Sequence, residues 1–293
     1  MTTNRFLDAL NNTAAPLVLD GATGTNLQAR GLTRGAPGET WVLDNPQEIL
    51  RLHRDFLTAG SNIILTCTFG ATGLRLAHLG LADRAAEVNQ KAAALAREAA
   101  APFGALVAGS IGPTGQMLKP LGPLEPAEAE AAFTAQAQSL AAAGVDLLVV
   151  ETQFDLAEAE LAVKAALSTG LPVVCSFSYD RGVRTMMGVK PGQMAEKFGA
   201  MGAAALGINC GRSLEENLKV LADLRAVTAL PVWFKPNAGM PLTDEQGQTH
   251  YSLTPAEMGA QAPGWVAAGA RLVGGCCGTS PEHLAAIAQA VKA

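Results

Sequence analysis

The sequence predicts a single (β/α)₈ barrel, an α/β fold. Eight short apolar segments recur along the chain, each followed by a loop and a helix-like stretch. The apolar residues of these segments run continuously, which is typical of parallel strands buried on both faces. Eight β-then-α units favour a closed barrel, and a doubly wound open sheet is the alternative. The open sheet lacks support because no GxGxxG motif follows the first segment and no GxxxxGK[ST] phosphate loop is present.

Each of the eight predicted strands is short, as expected for the strands of one small barrel. In chain order they are Leu17–Asp20, Asn62–Thr68, Ala105–Ser110, Asp146–Thr152, Pro172–Ser178, Ala204–Cys210, Pro231–Asn237 and Arg271–Cys277. Helices are predicted between them. Pro126–Ala143 has its larger apolar residues on one face and ends before Gly144, a C-capping residue. Leu214–Val227 leads into the seventh strand, and Pro281 begins the closing helix.

The chain contains no linker, low-complexity segment or composition change that would divide it, so residues 1–293 are predicted to form one domain. Two longer loops are expected, Gln28–Asn45 after the first strand and Gly239–Ser252 after the seventh. The net charge is −5, without runs of Lys or Arg, which disfavours nucleic acid and anionic membranes as partners. No signal peptide and no apolar stretch of about 18 residues is present, so a cytoplasmic protein is expected.

Reactive side chains cluster at the carboxyl ends of the predicted strands, where barrel enzymes carry their chemistry. These residues are Asp20, Thr66, Thr68, Ser110, Glu151, Ser178, Cys210, Asn237, Cys276 and Cys277. Three thiols from two strand ends suit Zn²⁺, which prefers tetrahedral sulfur ligation. Cys276 and Cys277 can share a metal only if their strand ends before them, because adjacent strand residues point to opposite faces. Ordinary buried cysteines, or a vicinal disulfide, are the alternative interpretation.

Asp20 and Glu151 each end an apolar strand, and a buried carboxylate needs a partner. A substrate ammonium group could be that partner, although helix capping or loop orientation is the plainer alternative. The turn after Asp20 offers backbone N–H groups to a substrate carboxylate, through Gly21, Thr23, Gly24 and Thr25. Together these features predict recognition of an amino acid. Cys175 is predicted to lie in the core, Cys67 could line the pocket, and His250 is a weaker candidate site residue.

The segments DGATGTNLQARG, GINC, KPNAG and GGCCGTSPEHL resemble the homocysteine S-methyltransferase family. Within it, they look most like the homocysteine-binding module of cobalamin-dependent methionine synthase. The resemblance covers the chain from Asp20 to the last helix and implies a (β/α)₈ barrel that holds zinc. It implies that Cys210, Cys276 and Cys277 are zinc ligands and that zinc removes the proton of the homocysteine thiol. The sulfur would then attack an activated methyl group and leave as methionine.

By the same resemblance, Asp20 and Glu151 contact the homocysteine amino group, the backbone of Gly21–Thr25 lies near its carboxylate, and Thr66 lines the pocket. Asn237 is a possible fourth zinc ligand before the substrate arrives. Cys67 departs from relatives that often carry Asn at this place. The resemblance favours a methylcorrinoid donor, held on a separate protein or domain. Betaine, S-methylmethionine and S-adenosylmethionine are the alternative donors.

Only 16 residues follow Cys277 and no DxHxxG text is present, so no corrinoid-binding module is expected in this chain. A fragment of a longer methionine synthase is one interpretation of that expectation. Two other classes of function compete with the methyltransferase. One is a metal-independent barrel lyase or aldolase that uses Lys235 as a Schiff-base lysine. The other is a non-enzymatic zinc-binding or amino-acid-binding module that serves a partner.

Overall fold

The computed structural model describes residues 4–244 and 249–292, and it confirms the predicted (β/α)₈ barrel. Eight parallel strands form one sheet, in the order β1 (Leu17–Val18), β10 (Ala270–Val273), β7 (Val232–Pro236), β6 (Ala205–Cys210), β5 (Val173–Phe177), β4 (Leu147–Gln153), β3 (Leu106–Ile111) and β2 (Ile63–Leu65). A parallel bridge between Leu19 and Ile63 brings the two outer strands of this list together. The Asn62 backbone N–H also donates to the Val18 carbonyl at 2.6 Å. The sheet therefore closes between β1 and β2.

The barrel strands are short, and nearly all of their residues are buried. They are β1 Leu17–Val18, β2 Ile63–Leu65, β3 Leu106–Ile111, β4 Leu147–Gln153, β5 Val173–Phe177, β6 Ala205–Cys210, β7 Val232–Pro236 and β10 Ala270–Val273. The α-helices are α1 Arg5–Asn12, α2 Thr23–Ala29, α3 Glu39–Asp44, α4 Pro46–Thr58, α5 Gly73–Leu76, α6 Ala85–Ala100, α7 Pro126–Ala142, α8 Leu156–Leu167, α9 Pro191–Ala200, α10 Leu214–Val227, α11 Pro255–Ala267 and α12 Pro281–Lys292.

The predicted strands and helices agree with these elements to within a few residues. The eighth barrel strand ends at Val273 and not at Cys277, so the vicinal cysteines lie on a loop beyond the sheet. This satisfies the condition for both thiols to face one ion. Gly144 has a φ of 79° directly after α7 and its capping residue, as a left-handed helix end requires.

The structure adds one feature that the sequence analysis missed. The predicted loop after β7 contains an antiparallel pair of short strands, β8 Pro241–Thr243 and β9 Thr249–Tyr251. Residues 245–248, in the centre of that loop, lie outside the described residues. So do residues 1–3 and 293 of the predicted domain.

The core has two layers, as burial on both faces of the strands requires. One apolar cluster fills the barrel interior and includes Leu19, Leu65, Leu147 and Trp233. The other lies between the strands and the surrounding helices. Helix α1 belongs to the first layer, because Phe6 is fully buried and packs with the interior residues. Among the helices of the described segments, none has the length and apolar character needed to cross a membrane.

Candidate functional site

Three cysteines from two strand ends meet at the carboxyl-terminal face of the barrel. Cys210 ends β6, and its Sγ lies 2.9 Å from the Sγ of Cys276 and 3.8 Å from that of Cys277. All three sulfur atoms lie within 4.8 Å of one another. All five cysteines of the chain are free thiols, so the cluster contains no vicinal disulfide. The structure thus brings together the three residues that the sequence predicts as metal ligands.

Hydrogen bonds to the end of β7 hold the two cysteine loops in place. The Cys276 N–H donates to the Pro236 carbonyl at 2.8 Å, and the Cys277 N–H donates to Asn237 Oδ1 at 3.0 Å. Asn237 Nδ2 in turn donates to the Gly211 carbonyl at 2.9 Å. Asn237 therefore joins the loop that carries Cys210 to the loop that carries the vicinal pair. A ligand role for its amide oxygen stays a prediction.

The charge of the cluster fits a metal ion. Hydrogen bonds from Cys210 and Cys276 lower the pKa of the Cys277 thiol to about 3. Hydrogen bonding to the other two thiols raises the pKa of Cys210 well above its usual value. One thiolate is thus favoured, whereas three half-buried thiolates at this spacing need a cation. A Zn²⁺ ion with sulfur ligands at about 2.3 Å has sulfur–sulfur separations of roughly 3.8 Å, and it supplies that charge.

Tyr251, at the end of β9, covers this cluster. Its ring lies against Gly278, where an added Cβ would come within 2.2 Å of the ring. Its hydroxyl is hydrogen-bonded to Cys277, and burial together with that contact raises the pKa of Tyr251. The hairpin that the sequence analysis missed therefore brings a phenol to the thiols.

Asn209, next to Cys210, connects β6 to β4, the strand of Glu151. Its Oδ1 accepts from the Thr152 N–H at 3.0 Å and from the Ser176 hydroxyl at 2.6 Å. Its Nδ2 donates to the Thr152 hydroxyl at 2.7 Å and lies 4.0 Å from Cys276 Sγ. Asn209 is fully buried, so its three hydrogen bonds to Thr152 on β4 and Ser176 on β5 fix its amide plane.

Asp20 is at the rim as predicted, but its partner is a residue of this chain. Lys235 Nζ, from β7, donates to Asp20 Oδ1 at 2.5 Å, and both side chains are buried. Burial lowers the pKa of Lys235, but the charges of Asp20 and Glu151 outweigh it, so the pKa is raised above its usual value. A charged, paired lysine is a poor Schiff-base nucleophile, which argues against the lyase or aldolase alternative.

Glu151 lies near the carboxyl end of β4, where it feels the charges of Lys235, Cys276 and Asp20. Its Oε1 accepts from the Ser110 hydroxyl at 2.5 Å. Burial raises its pKa to about 7, although the charge of Lys235 opposes that shift. Among the residues with described positions, no Lys, Arg or His nitrogen is paired with this carboxylate. Glu151 is therefore the rim carboxylate that still lacks a counterion.

The other predicted pocket residues have internal roles in the structure. The Thr66 hydroxyl accepts from the Ser110 N–H at 3.0 Å and shares a hydrogen bond with Thr68. The residues after Asp20 lead into α2, which begins at Thr23, and the Ala22 N–H donates to Thr279. Whether the backbone at Gly21, Thr23, Gly24 and Thr25 binds a carboxylate stays a prediction.

The remaining candidates lie away from the thiols. Cys175 is buried in β5, as predicted for a core residue. Cys67 is buried, and an added Cβ at Gly38 would lie 3.0 Å from its sulfur. His250 is exposed and pairs with Asp244 in the hairpin at 2.7 Å. None of these three belongs to the three-cysteine cluster.

The fold and the site define the class of protein: a (β/α)₈ barrel with a cluster of three cysteine thiols at the carboxyl-terminal face of its strands. The chain belongs to the homocysteine S-methyltransferase family, whose model matches residues 17–291.

Two of its relatives are methionine synthases of Mycobacterium tuberculosis and Mycobacterium leprae. They are 34% and 32% identical to this chain over 98% and 94% of its length. The chain spans about a quarter of the length of each relative, 25% and 24%. A solved structure, the metallated form of the homocysteine methyltransferase MmuM from Escherichia coli, superposes with a TM-score of 0.83. It is 28% identical and the match covers 97% of this chain and 99% of MmuM.

Proposed function

We propose that this chain transfers a methyl group to the thiol of L-homocysteine and so forms methionine. The observation that carries the proposal is the meeting of three cysteine thiols within 4.8 Å at the barrel rim. Membership of the homocysteine S-methyltransferase family and the names of its relatives support the same acceptor. The whole of residues 1–293 acts as one functional unit in this proposal.

Cys210, Cys276 and Cys277 would hold the zinc ion. When bound, zinc would keep the acceptor sulfur deprotonated at neutral pH, where a free thiol with a pKa near 8.5 is mostly protonated. The chain's own residues position the acceptor. Glu151 accepts the ammonium group, and Ser110 fixes the direction of that carboxylate through its hydrogen bond. Asn209 and Asn237 hold the cysteine loops in place from two sides.

In the transfer step, a bond forms between the acceptor sulfur and the methyl carbon while the bond from that carbon to the donor breaks. The electron pair of the broken bond leaves with the donor. The buried side chains of Asp20, Glu151 and Lys235 beside the thiols give the reacting sulfur a low-dielectric environment, where an electron-rich sulfur is poorly solvated and reactive. No proton needs to be moved from the donor.

The donor in this proposal is a methylcorrinoid that a separate protein or domain presents. The motifs GINC, KPNAG and GGCCGTSPEHL support this donor. So does the sequence identity, which is higher to the methionine synthase of Mycobacterium tuberculosis (34%) than to MmuM (28%). Betaine, S-methylmethionine and S-adenosylmethionine are the alternatives, and the match to almost all of MmuM is compatible with a chain that acts without further domains. A reducing compartment such as the cytoplasm suits the three free ligand thiols.

A donor panel tests this function. The zinc-loaded protein is incubated with homocysteine and, in separate reactions, with methylcobalamin, a methylated corrinoid protein, betaine, S-methylmethionine or S-adenosylmethionine. Methionine is measured by mass spectrometry. We expect the fastest formation with a corrinoid donor and none with the Cys276→Ala variant. Failure to form methionine with any donor would contradict the proposal.

A further inference from the structure

Cys210 and Gly211 form a turn of two consecutive residues with left-handed backbone. Their φ values are 57° and 81°, and the turn lies where β6 ends. A residue with a Cβ adopts this conformation at an energetic cost, so the turn persists only where its surroundings hold it. The conformation of the turn sets the position of the Cys210 thiol, whose Sγ lies 2.9 Å from that of Cys276.

Two asparagine side chains bind the carbonyl groups of this turn. Asn237 Nδ2 donates to the Gly211 carbonyl at 2.9 Å, and Asn217 Nδ2 donates to the Cys210 carbonyl at 2.7 Å. Asn237 also accepts from the Cys277 N–H, so it serves the vicinal pair as well. In the described chain, the side-chain hydrogen bond of Asn217 goes to the turn alone.

The start of α10 explains why Asn217 reaches this carbonyl. The Ser213 hydroxyl caps the helix by accepting from the Glu216 N–H, and α10 then spans Leu214–Val227. Helical side chains lean towards the amino terminus of their helix, so a residue in the first turn points back over the chain that precedes it. The short connection between β6 and α10 therefore places the Asn217 amide beside the turn.

The surroundings of Asn217 show what its amide is used for. The side chain is 1% exposed, and its Oδ1 is buried without a hydrogen-bond partner in the described chain. An added Cβ at Gly211 would lie 2.3 Å from that oxygen, so the amide fills the space that this glycine leaves open. Burying an amide with one group unsatisfied is unfavourable, and an apolar side chain of similar volume would avoid that cost. The hydrogen bond to Cys210 is what the amide gains in return.

We propose that Asn217 is a positioning residue for the three-cysteine site. Through the Cys210 carbonyl it holds the left-handed turn that presents the Cys210 thiol to the other two cysteines. The inference rests on the proposed function, because it assumes that the three thiols bind zinc. Cys276 and Cys277 are anchored separately, at the end of β7. Loss of the Asn217 hydrogen bond therefore releases Cys210 and leaves the vicinal pair in place.

The zinc affinity of two variants tests the inference. Asn217→Leu keeps the approximate volume of the side chain and removes the donor. Asn89→Leu is the matched control, because Asn89 on α6 is also 1% exposed and donates to backbone carbonyls. Its Oδ1 is likewise buried without a partner among the described residues. Chelator competition on the full chain should show that Asn217→Leu lowers zinc affinity by ~10–100-fold and that Asn89→Leu does not change it. Thermal melting should show a similar loss of stability in both variants.

Cobalt in place of zinc gives a second measurement, which a loss of stability alone does not alter. Thiolate ligands give Co²⁺ a charge-transfer absorption whose intensity increases with the number of thiolates. We expect the intensity of three thiolates in the unaltered protein and in Asn89→Leu. Asn217→Leu should fall towards the intensity of Cys210→Ala, which retains two of the three thiols. If either leucine variant fails to fold, Asn217→Ala and Asn89→Ala make the same comparison.

Equal zinc affinity in the unaltered protein, Asn217→Leu and Asn89→Leu would overturn the inference and leave the proposed function intact. An equal loss of affinity in the two variants would also overturn it, because such a loss would reflect stability and not the position of Cys210. An unaltered protein that takes up neither zinc nor cobalt would contradict the proposed function and the inference with it.

Discussion

Asn209 and Thr152 are joined by two hydrogen bonds that run in opposite directions between β6 and β4. Asn209 Oδ1 accepts from the Thr152 N–H, and Asn209 Nδ2 donates to the Thr152 hydroxyl. Among the described residues, Thr152 and Cys210 are the two non-glycine residues with left-handed backbone, at φ values of 58° and 57°. Thr152 follows Glu151 in the chain, and Cys210 is one of the three clustered cysteines. Asn209 therefore stabilises the two unfavourable backbone conformations that position Glu151 and Cys210.

Replacing Asn209 with Ala should weaken zinc binding as well as stability. The change leaves the buried Ser176 hydroxyl and the half-buried Thr152 N–H without their acceptor, which costs about 1–3 kcal/mol of unfolding free energy. Loss of a group that orients a metal ligand typically costs ~10–100-fold in metal affinity. Asn89→Ala is the control, because Asn89 is a buried amide on α6 that contacts only backbone carbonyls. Chelator competition should show a zinc effect for Asn209→Ala and none for Asn89→Ala.

Removal of one ligand thiol should abolish stoichiometric zinc. Cys210→Ala and Cys276→Ala each leave two sulfur ligands, so we expect purified variants to hold well below one zinc per chain. Cys175→Ala removes a buried thiol on β5 outside the cluster and should retain full zinc. Elemental analysis of the three proteins measures this directly. Near-complete zinc in Cys210→Ala would argue against the ligand assignment.

The burial of Glu151 predicts a pH dependence of stability. Its pKa is raised from 4.5 to about 7 in the folded protein by burial, so between these values the folded state binds more protons than the unfolded state. The stabilisation is fully present below about pH 4.5 and is lost as the pH rises through 7. At 1.36 kcal/mol per unit, the loss amounts to about 3 kcal/mol.

Glu151→Gln cannot titrate, so it should remove this part of the pH dependence. Urea denaturation of both proteins near pH 5 and near pH 8, with a chelator present, compares the two free energies of unfolding. We expect the variant to gain stability relative to the parent at the higher pH. Identical pH profiles for the two proteins would show that the carboxylate is not buried as described.

Tyr251→Phe should affect zinc without unfolding the barrel. The ring that packs on Gly278 is kept, and only the hydroxyl that contacts Cys277 is lost. We expect zinc affinity to fall by up to ~10-fold, as for other groups that contact metal ligands. Tyr179→Phe is the matched control, because the Tyr179 hydroxyl is buried without a hydrogen-bond partner in the described chain. Equal zinc affinity in both variants would exclude a role for the Tyr251 hydroxyl.

The strands and the cysteine cluster were predictable from the sequence because both depend on simple rules. Continuous apolar runs identify buried parallel strands, and a closed barrel brings their carboxyl ends to one face. Cys210 is 66 residues from Cys276, yet the strand count alone places them on the same rim. The eighth strand was predicted to reach Cys277, with an early end as the condition for Cys276 and Cys277 to share a metal, and it ends at Val273.

The hydrogen-bond and ion-pair partners of the rim side chains were harder to predict. They depend on the register between strands that are distant in the chain. Nothing local to Asn209 indicates that it faces Thr152, 57 residues earlier. The ion pair of Lys235 was predictable in part, because a lysine inside the apolar run PVWFKP must find a buried counterion. The hairpin after β7 was missed because its two strands have only three residues each and the first is exposed.

In the proposed site, three cysteine thiolates hold one zinc ion that binds the acceptor sulfur directly. X-ray absorption at the zinc edge tests it, because sulfur at about 2.3 Å is distinguished from nitrogen or oxygen at about 2.0–2.2 Å. We predict three sulfur ligands and one lighter ligand in the resting protein, and four sulfur ligands after homocysteine is added. A sulfur count that stays at three with saturating homocysteine would contradict the account.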